Sequence, residues 1–205
     1  DGDTVPDFAV GDPQQDVVVI YSGLTAQPIH TRTATCGFSN FGQSIDGLGD
    51  LTGDGLGEFV IGAPTLSANC YSPPYAGQVT VHSGATGSVL FTLNEAFLYP
   101  VGIGSTVERI DDFDGDGTVD LFVAGAGALR VISGATSLEL FNLELAHETA
   151  APAGDVNGDG VIDFVAGMPK HVAGIGEEGR VRVYSGVDGS VLFQRVGEAW
   201  GQRLG

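Results

Sequence analysis

Residues 112–120 read D-F-D-G-D-G-T-V-D and carry carboxylates at the first, third, fifth and ninth positions: Asp112, Asp114, Asp116 and Asp120. Gly115 and Gly117 fill the gaps, where a chain turning tightly around a small centre needs positive φ and no Cβ. Four carboxylates packed this closely repel one another unless a cation sits among them. Short side chains at alternate positions suit a hard ion that takes six to eight oxygens at about 2.3–2.6 Å, which is the behaviour of calcium. The Thr118 carbonyl is the natural further ligand. The plain alternative is an acidic, Gly-rich surface turn. Recurrence favours the cation. The loop returns as D-L-T-G-D-G-L-G-E at 50–58 and as D-V-N-G-D-G-V-I-D at 155–163. Its tail appears as D-G-D-T-V-P-D at 1–7, with the leading ligand position falling before Asp1.

The elements around these loops repeat as well. After each loop comes a short apolar run ending near Gly: F-A-V-G-D-P (8–13), F-V-I-G-A-P (59–64), L-F-V-A-G (121–125) and F-V-A-G-M-P (164–169). An alternating run ending in Ser-Gly follows, at 17–23, 78–84, 129–134 and 180–186. A third run closes three copies, at 88–93, 138–143 and 190–196, with a more polar counterpart around 28–34. Ahead of the loop stands an aromatic-Gly segment, F-G-Q-S-I at 41–45 and W-G-Q-R-L at 200–204, degenerate at 101–110 and short before Asp155. Period-two alternation, β-branched and aromatic residues and turn signals predict an all-β chain with four strands per repeat. Loop starts at 50, 112 and 155 set an irregular period whose variation lies in the connections, notably the insert at 65–76. Units of this size and strand number predict propeller blades, here repeats at 1–37, 38–97, 98–145 and 146–199, with 200–205 opening a further entry strand.

Composition narrows the partners. Asp+Glu number 26 against Lys+Arg 8, for a net charge of −18, which argues against nucleic acid or an anionic membrane surface. No apolar run has the length of a membrane span, so direct membrane insertion is not expected. Glycine at 33 residues with 42% hydrophobic content describes a turn-rich globular chain. Cys36 and Cys70 leave one disulfide to form and by themselves decide nothing about compartment.

The aromatic-Gly entry, the D-x-[DN]-G-D-G-x-x-D loop and the F-V-x-G-x-P exit resemble the FG-GAP repeats of integrin α-subunit β-propellers. Bacterial cell-surface proteins carry similar repeats with the S-G-x-x-G-x-x-L-F continuation seen at 83–91 and 185–193. The resemblance implies blades of four antiparallel strands belonging to a larger, seven-bladed ring. A closed ring of four, or a strand lent to a neighbouring copy, stays open. It also implies that loop side chains at positions one, three, five and nine and the carbonyl at seven bind structural calcium. Carried over residue by residue, these are Asp112, Asp114, Asp116, Thr118 and Asp120; Asp155, Asn157, Asp159, Val161 and Asp163; and Asp50, Thr52, Asp54, Leu56 and Glu58. In the first copy they are Asp1, Asp3, Val5 and Asp7. Asn157 keeps an oxygen at lower charge, Thr52 replaces a carboxylate, Glu58 is one methylene longer, and Thr4 stands where the other copies have Gly. An EF-hand does not fit, because position twelve would be Ile61, Val123 or Ala166.

On this scaffold Cys36, just before an entry strand, and Cys70, between the second and third strands of the same blade, fall on one face and are expected to pair. His30, His82, His147 and His171 show no metal spacing. Ser83, Ser133 and Ser185 recur in one turn and read as turn formers rather than nucleophiles. Phe41 and Trp200 read as core between blades. The expected function is therefore a non-catalytic, calcium-stabilised extracellular or cell-surface propeller. Its role would be adhesion, ligand binding or structural assembly, with a protein or glycan ligand on the cell surface or matrix, or copies of itself, as partner. The alternatives are a subunit of a surface filament, a lectin-like propeller and a non-catalytic module of a secreted enzyme.

Overall fold

A computed structural model describes residues 1–37, 39–65, 77–94, 102–125, 127–145, 149–169 and 179–197. Every regular element among them is a strand, and they form separate antiparallel sheets. The first sheet holds β1 (Phe8–Asp12), β2 (Val17–Tyr21) and β3 (Pro28–Thr33). The second holds β4 (Ser44–Gly49), β5 (Glu58–Ala63), β6 (Gln78–His82) and β7 (Val89–Asn94). The third holds β8 (Ile103–Ile110), β9 (Asp120–Gly125), β10 (Ala128–Ile132) and β11 (Glu139–Glu144). The fourth holds β12 (Thr149–Gly154), β13 (Asp163–Met168), β14 (Arg180–Tyr184) and β15 (Val191–Val196). Neighbours within each sheet follow chain order, the meander of a propeller blade. The blades pack in series, with β1 against β4, β4 against β8, and β12 against β8 and β9.

The sequence reading expected four strands in every unit. Three sheets have four, and the first has three among the described residues, so β1 is an open edge there. This changes burial at matched positions: Phe8 is 47% exposed, whereas Phe59, at the same register in β5, is 7% exposed. The expected entry segment at 200–204, the strand insert at 66–76, His147 and His171 lie outside the described residues.

Each strand's pattern follows from its place in the blade. β5 and β9 are buried along their whole length, which is why they read as continuous apolar runs rather than alternating ones. The outer strands β3, β7 and β11 alternate, with one face on the next blade and one in water. In all four blades the third and outermost strands slip register at one place, between Ile20 and Tyr21, Val81 and His82, Val131 and Ile132, and Val183 and Tyr184. This repeated bulge re-aims the outer strand where the chain leaves the Ser-Gly turn.

Three apolar clusters fill the seams. Val18 and Ile20 meet Phe41, Phe59 and Ile61 between the first and second blades; Val60, Val79 and Val81 meet Ile103, Leu121 and Val123 between the second and third. Between the third and fourth, Phe122 stacks on Phe164 at 5.7 Å and Phe141 lies 5.4 Å from the same ring. Phe122 and Phe164 are fully buried, each worth roughly 1.5–3 kcal/mol on removal from water. Close approach of the blades also explains the motif glycines: a Cβ on Gly11 would collide with the Gly42 carbonyl, and one on Gly62 with the Gly104 carbonyl.

A buried carboxylate bolts the first seam. Asp16, in the β1–β2 turn, accepts the Ser39 amide (3.0 Å), the Ser39 hydroxyl (2.7 Å) and the Phe41 amide (3.0 Å) through Oδ1. These are the residues that lead the chain into the second blade. Asp16→Ala leaves two amides and a hydroxyl buried without that acceptor, so a loss of roughly 2–4 kcal/mol is expected. A urea unfolding midpoint within error of the parent would contradict this role.

Candidate metal-binding loops

The loops lie between the first and second strands of the second, third and fourth blades and ahead of β1 in the first, beside the Ser-Gly turns. Position one is the hub. Asp112 Oδ1 accepts the amides of Gly115 (2.7 Å) and Asp116 (3.0 Å), and its Oδ2 accepts that of Gly117 (2.7 Å). Asp50 does the same with Gly53, Asp54 and Gly55, and Asp155 with Gly158, Asp159 and Gly160. Curling three amides onto one carboxylate needs left-handed backbone at positions four and six, and Gly115 (φ 80) and Gly117 (φ 90) supply it. In the first copy Thr4 occupies position six at φ 73, a strained conformation for a β-branched residue.

Positions three and five continue the spiral. Asp114 Oδ1 accepts the Asp116 amide and Asp116 Oδ1 accepts the Thr118 amide, at 3.1 and 2.8 Å. Each of Asp112, Asp114 and Asp116 thereby offers an oxygen within 4.8 Å of the others. That separation fits inside the roughly 5 Å span across a calcium coordination sphere. Asp1, Asp3 and Asp7 converge in the same way. In the 155–163 loop the Asn157 amide nitrogen donates to Asp159 Oδ2 at 2.7 Å, placing a partial positive charge where a carboxylate would repel. In the 50–58 loop the Thr52 hydroxyl turns toward Glu58 Oε1 at 3.4 Å.

Position nine behaves differently from the rest. Asp120 and Asp163 are buried, and each spans two elements. Asp120 Oδ2 accepts the Phe113 amide (2.7 Å) from its own loop, and Oδ1 accepts the Gly134 amide (3.0 Å) from the Ser-Gly turn. Asp163 repeats this with Val156 and Gly186, and Asp7 reaches Gly23. Glu58 Oε2 takes the equivalent Leu51 amide at 2.6 Å and, being longer, the Thr52 amide at 3.1 Å as well. The Ser-Gly turn is glycine for a steric reason too, since a Cβ on Gly23, Gly84, Gly134 or Gly186 would strike the loop carbonyl of Pro6, Gly57, Val119 or Ile162. The serine before it closes the turn: Ser83 Oγ accepts the Thr86 amide and Ser133 Oγ that of Thr136.

Charge in the 112–120 loop is unevenly balanced. Amide bonds, that of Gly117 first, hold the Asp112 carboxyl below the usual range, and the Gly55 and Gly160 amides do the same for Asp50 and Asp155. Asp120 is pushed up, first by burial, against the Gly134 and Phe113 amides, and then by repulsion from Asp114 and Asp116. The cluster is thus short of positive charge at its centre. Sequence reasoning did not find the position-nine clamp, because an Asp at a strand start carries no signal of which distant turn it will hold.

The model of the FG-GAP repeat matches residues 41–82, so the second blade, from Phe41 through the 50–58 loop to His82, carries that repeat. Integrin alpha-4 of Xenopus laevis is 33% identical over 86 residues, which are 42% of this chain and 8% of the relative. The chain therefore spans a small fraction of that protein's length. BamB from Moraxella catarrhalis superposes over 88% of this chain and 46% of its own, with a TM-score of 0.48 and 14% identity. The chain is similar in sequence to integrin α and is built of propeller blades.

The shifts predict an acid limb in chelated protein. Carboxyls lowered in the folded state stabilise it fully above the usual carboxylate range and lose that contribution as pH falls through their folded values; Asp120, raised, works in the opposite sense. Asp7, Asp50, Asp112, Asp155 and Asp188 lowered against Asp120 and Glu108 raised predict a net loss of stability below about pH 4. Urea midpoints at pH 5, 4 and 3 without divalent ions check the sign, and a rise on acidification would refute it.

Proposed function

We propose that this chain is a section of a calcium-stabilised β-propeller from an extracellular or cell-surface protein, acting in adhesion, ligand binding or structural assembly. The observation that carries this reading is the convergence of Asp112, Asp114 and Asp116 oxygens within 4.8 Å, at the focus of a loop that recurs in blade after blade. The ion's part is structural: it would offset the burial that chiefly raises Asp120, and the repulsion from Asp114 and Asp116 that adds to it, and tie the loop into a single unit. Asp112, Asp114, Asp116, the Thr118 carbonyl and Asp120 would hold it, with equivalent sets in the 155–163, 50–58 and 1–7 loops. Similarity to integrin alpha-4 supports a surface setting and a protein or glycan ligand on the cell surface or matrix. The recurring serines are engaged with turn amides, which favours a non-catalytic role.

A disulfide between Cys36 and Cys70 belongs to the same proposal. Among the described residues no cysteine is a free thiol, and Cys70 lies outside them. A bridge closing a loop of about 35 residues would stabilise by roughly 3–4 kcal/mol on the chain-entropy estimate, and it suits an oxidising compartment.

With dissociation constants of 10⁻⁴–10⁻³ M and about 1 mM calcium, each loop contributes roughly 0.4–1.4 kcal/mol. Three complete loops contribute about 1–4 kcal/mol, so excess EDTA is expected to lower Tm by several degrees. An unchanged melting curve would sink the proposal. Within it, Asp116→Ala is expected to cost more calcium affinity by calorimetry than Thr52→Ala, because Asp116 is a carboxylate at the centre of a full ligand set and Thr52 a neutral hydroxyl.

A further inference from the structure

The seams between blades are not alike. Where the second blade meets the third and the third meets the fourth, the outer strand presents Phe91 and Leu93, or Phe141 and Leu143, to the apolar clusters. The same two register positions in β3 hold His30 and Arg32. His30 Nε2 lies 2.7 Å from the Gly84 carbonyl, and Arg32 Nη2 donates to the Thr86 carbonyl at 3.0 Å. Arg32 Nε is buried with no hydrogen-bond partner among the described residues. The first blade thus grips the Ser-Gly turn of the second with cationic or ionisable side chains where the other seams use hydrocarbon.

Beneath that grip sits His82, 3% exposed, at the position held by Ile132 in the third blade and Tyr184 in the fourth. Its ring stacks on Phe59 at 5.1 Å with 4° between planes. Nδ1 lies 3.1 Å from the Gly87 carbonyl and Nε2 2.9 Å from the Thr80 hydroxyl. A carbonyl only accepts, so Nδ1 carries the proton and Nε2 accepts from Thr80; neutral His82 is fully satisfied. A second proton would sit on Nε2 and bury a charge that the neighbouring Arg32 and His30 disfavour further.

The acids of the surrounding strands do not offset this. Glu58 on β5 is engaged with the Leu51 and Thr52 amides, Asp46 on β4 with those of Gly47 and Arg109, and Asp7 with that of Gly23. These three carboxylates, Asp1, His30 and the Phe59 ring that covers His82 line a cavity of about 480 Å³ between the two blades. Burial pushes the His82 pKa down, the Gly87 carbonyl opposes this, and Arg32 and His30 push it down further.

We propose that the seam between the first and second blades is a proton-operated latch, closed while His82 is neutral and loosened by mild acid. His82 refuses a proton that the unfolded or opened chain accepts. Stability of the seam is therefore complete above the ordinary histidine value and falls as pH drops from about 7 toward 5. This window lies above the acid limb of the Asp loops, so the two are separable.

The test is hydrogen–deuterium exchange on the full 205-residue chain at saturating calcium, comparing amides of β2, β3 and the 83–87 turn at pH 7.5 and 5.5 after correction for intrinsic rates. Seam amides are expected to exchange up to about tenfold faster at pH 5.5, one pH unit below the ordinary histidine value, while β9 and β13 amides hold. His82→Tyr, which takes the fourth blade's residue, is expected to abolish the step. The double variant His30→Phe with Arg32→Leu, which takes the second blade's residues, is expected to reduce it. No step in the parent, or an equal step in parent and variants, would overturn the latch. Should His82→Tyr fail to fold, the double variant and the NMR titration of His82 decide instead: a folded-state value at or above that of free histidine would overturn it.

Discussion

One contact recurs in the first, third and fourth blades, and the rest of those blades depends on it: the carboxylate at the end of the Asp loop holding the amide of the Ser-Gly turn. Asp7 to Gly23, Asp120 to Gly134 and Asp163 to Gly186 are all 3.0 Å bonds, made where the loop backbone already touches the glycine. Burying an ionised carboxylate is tolerable only when its oxygens are hydrogen-bonded, and here each oxygen of Asp120 and Asp163 has its own amide. The clamp joins the first hairpin of a blade to the last, so four strands behave as one plate. It also fixes where the other loop oxygens point, since positions one to five wind above it.

The second blade shows what the clamp requires. Glu58 keeps the loop amide of Leu51, as Asp120 and Asp163 keep those of Phe113 and Val156, and adds that of Thr52. His30 of the preceding blade bonds the Gly84 carbonyl and Arg32 that of Thr86. A blade with an altered internal tie is thus the one gripped by its neighbour's polar side chains.

Between blades the constraint is distance rather than charge. Paired glycines such as Gly62 and Gly104 let backbones of adjacent blades approach closely, and phenylalanines fill wider parts of the seams, most densely around Phe164. Polar bolts then set orientation: Asp16 on Ser39 and Phe41, and Asp46 Oδ2 on the Arg109 amide at 2.7 Å. Many of the acidic residues that make the net charge −18 also accept backbone amides, so they hold the fold while staying charged.

The sequence by itself determined the all-β class, the order of strands within a repeat, the positions of the Asp loops and the positive-φ glycines, because these are local: period-two burial and tight turns leave their mark within a few residues. It also identified Phe41 as core and the recurring serines as turn formers. What only the tertiary structure decided is which residues meet across blades. Asp16 looks like any turn aspartate until Ser39 and Phe41 are placed on it, 23 and 25 residues away. His82 looks like any strand histidine until Phe59 covers it and Arg32 arrives from the neighbouring blade. Repetition tells the chain how to build a blade, but the seam is an interface between two blades, and no single repeat contains both of its sides.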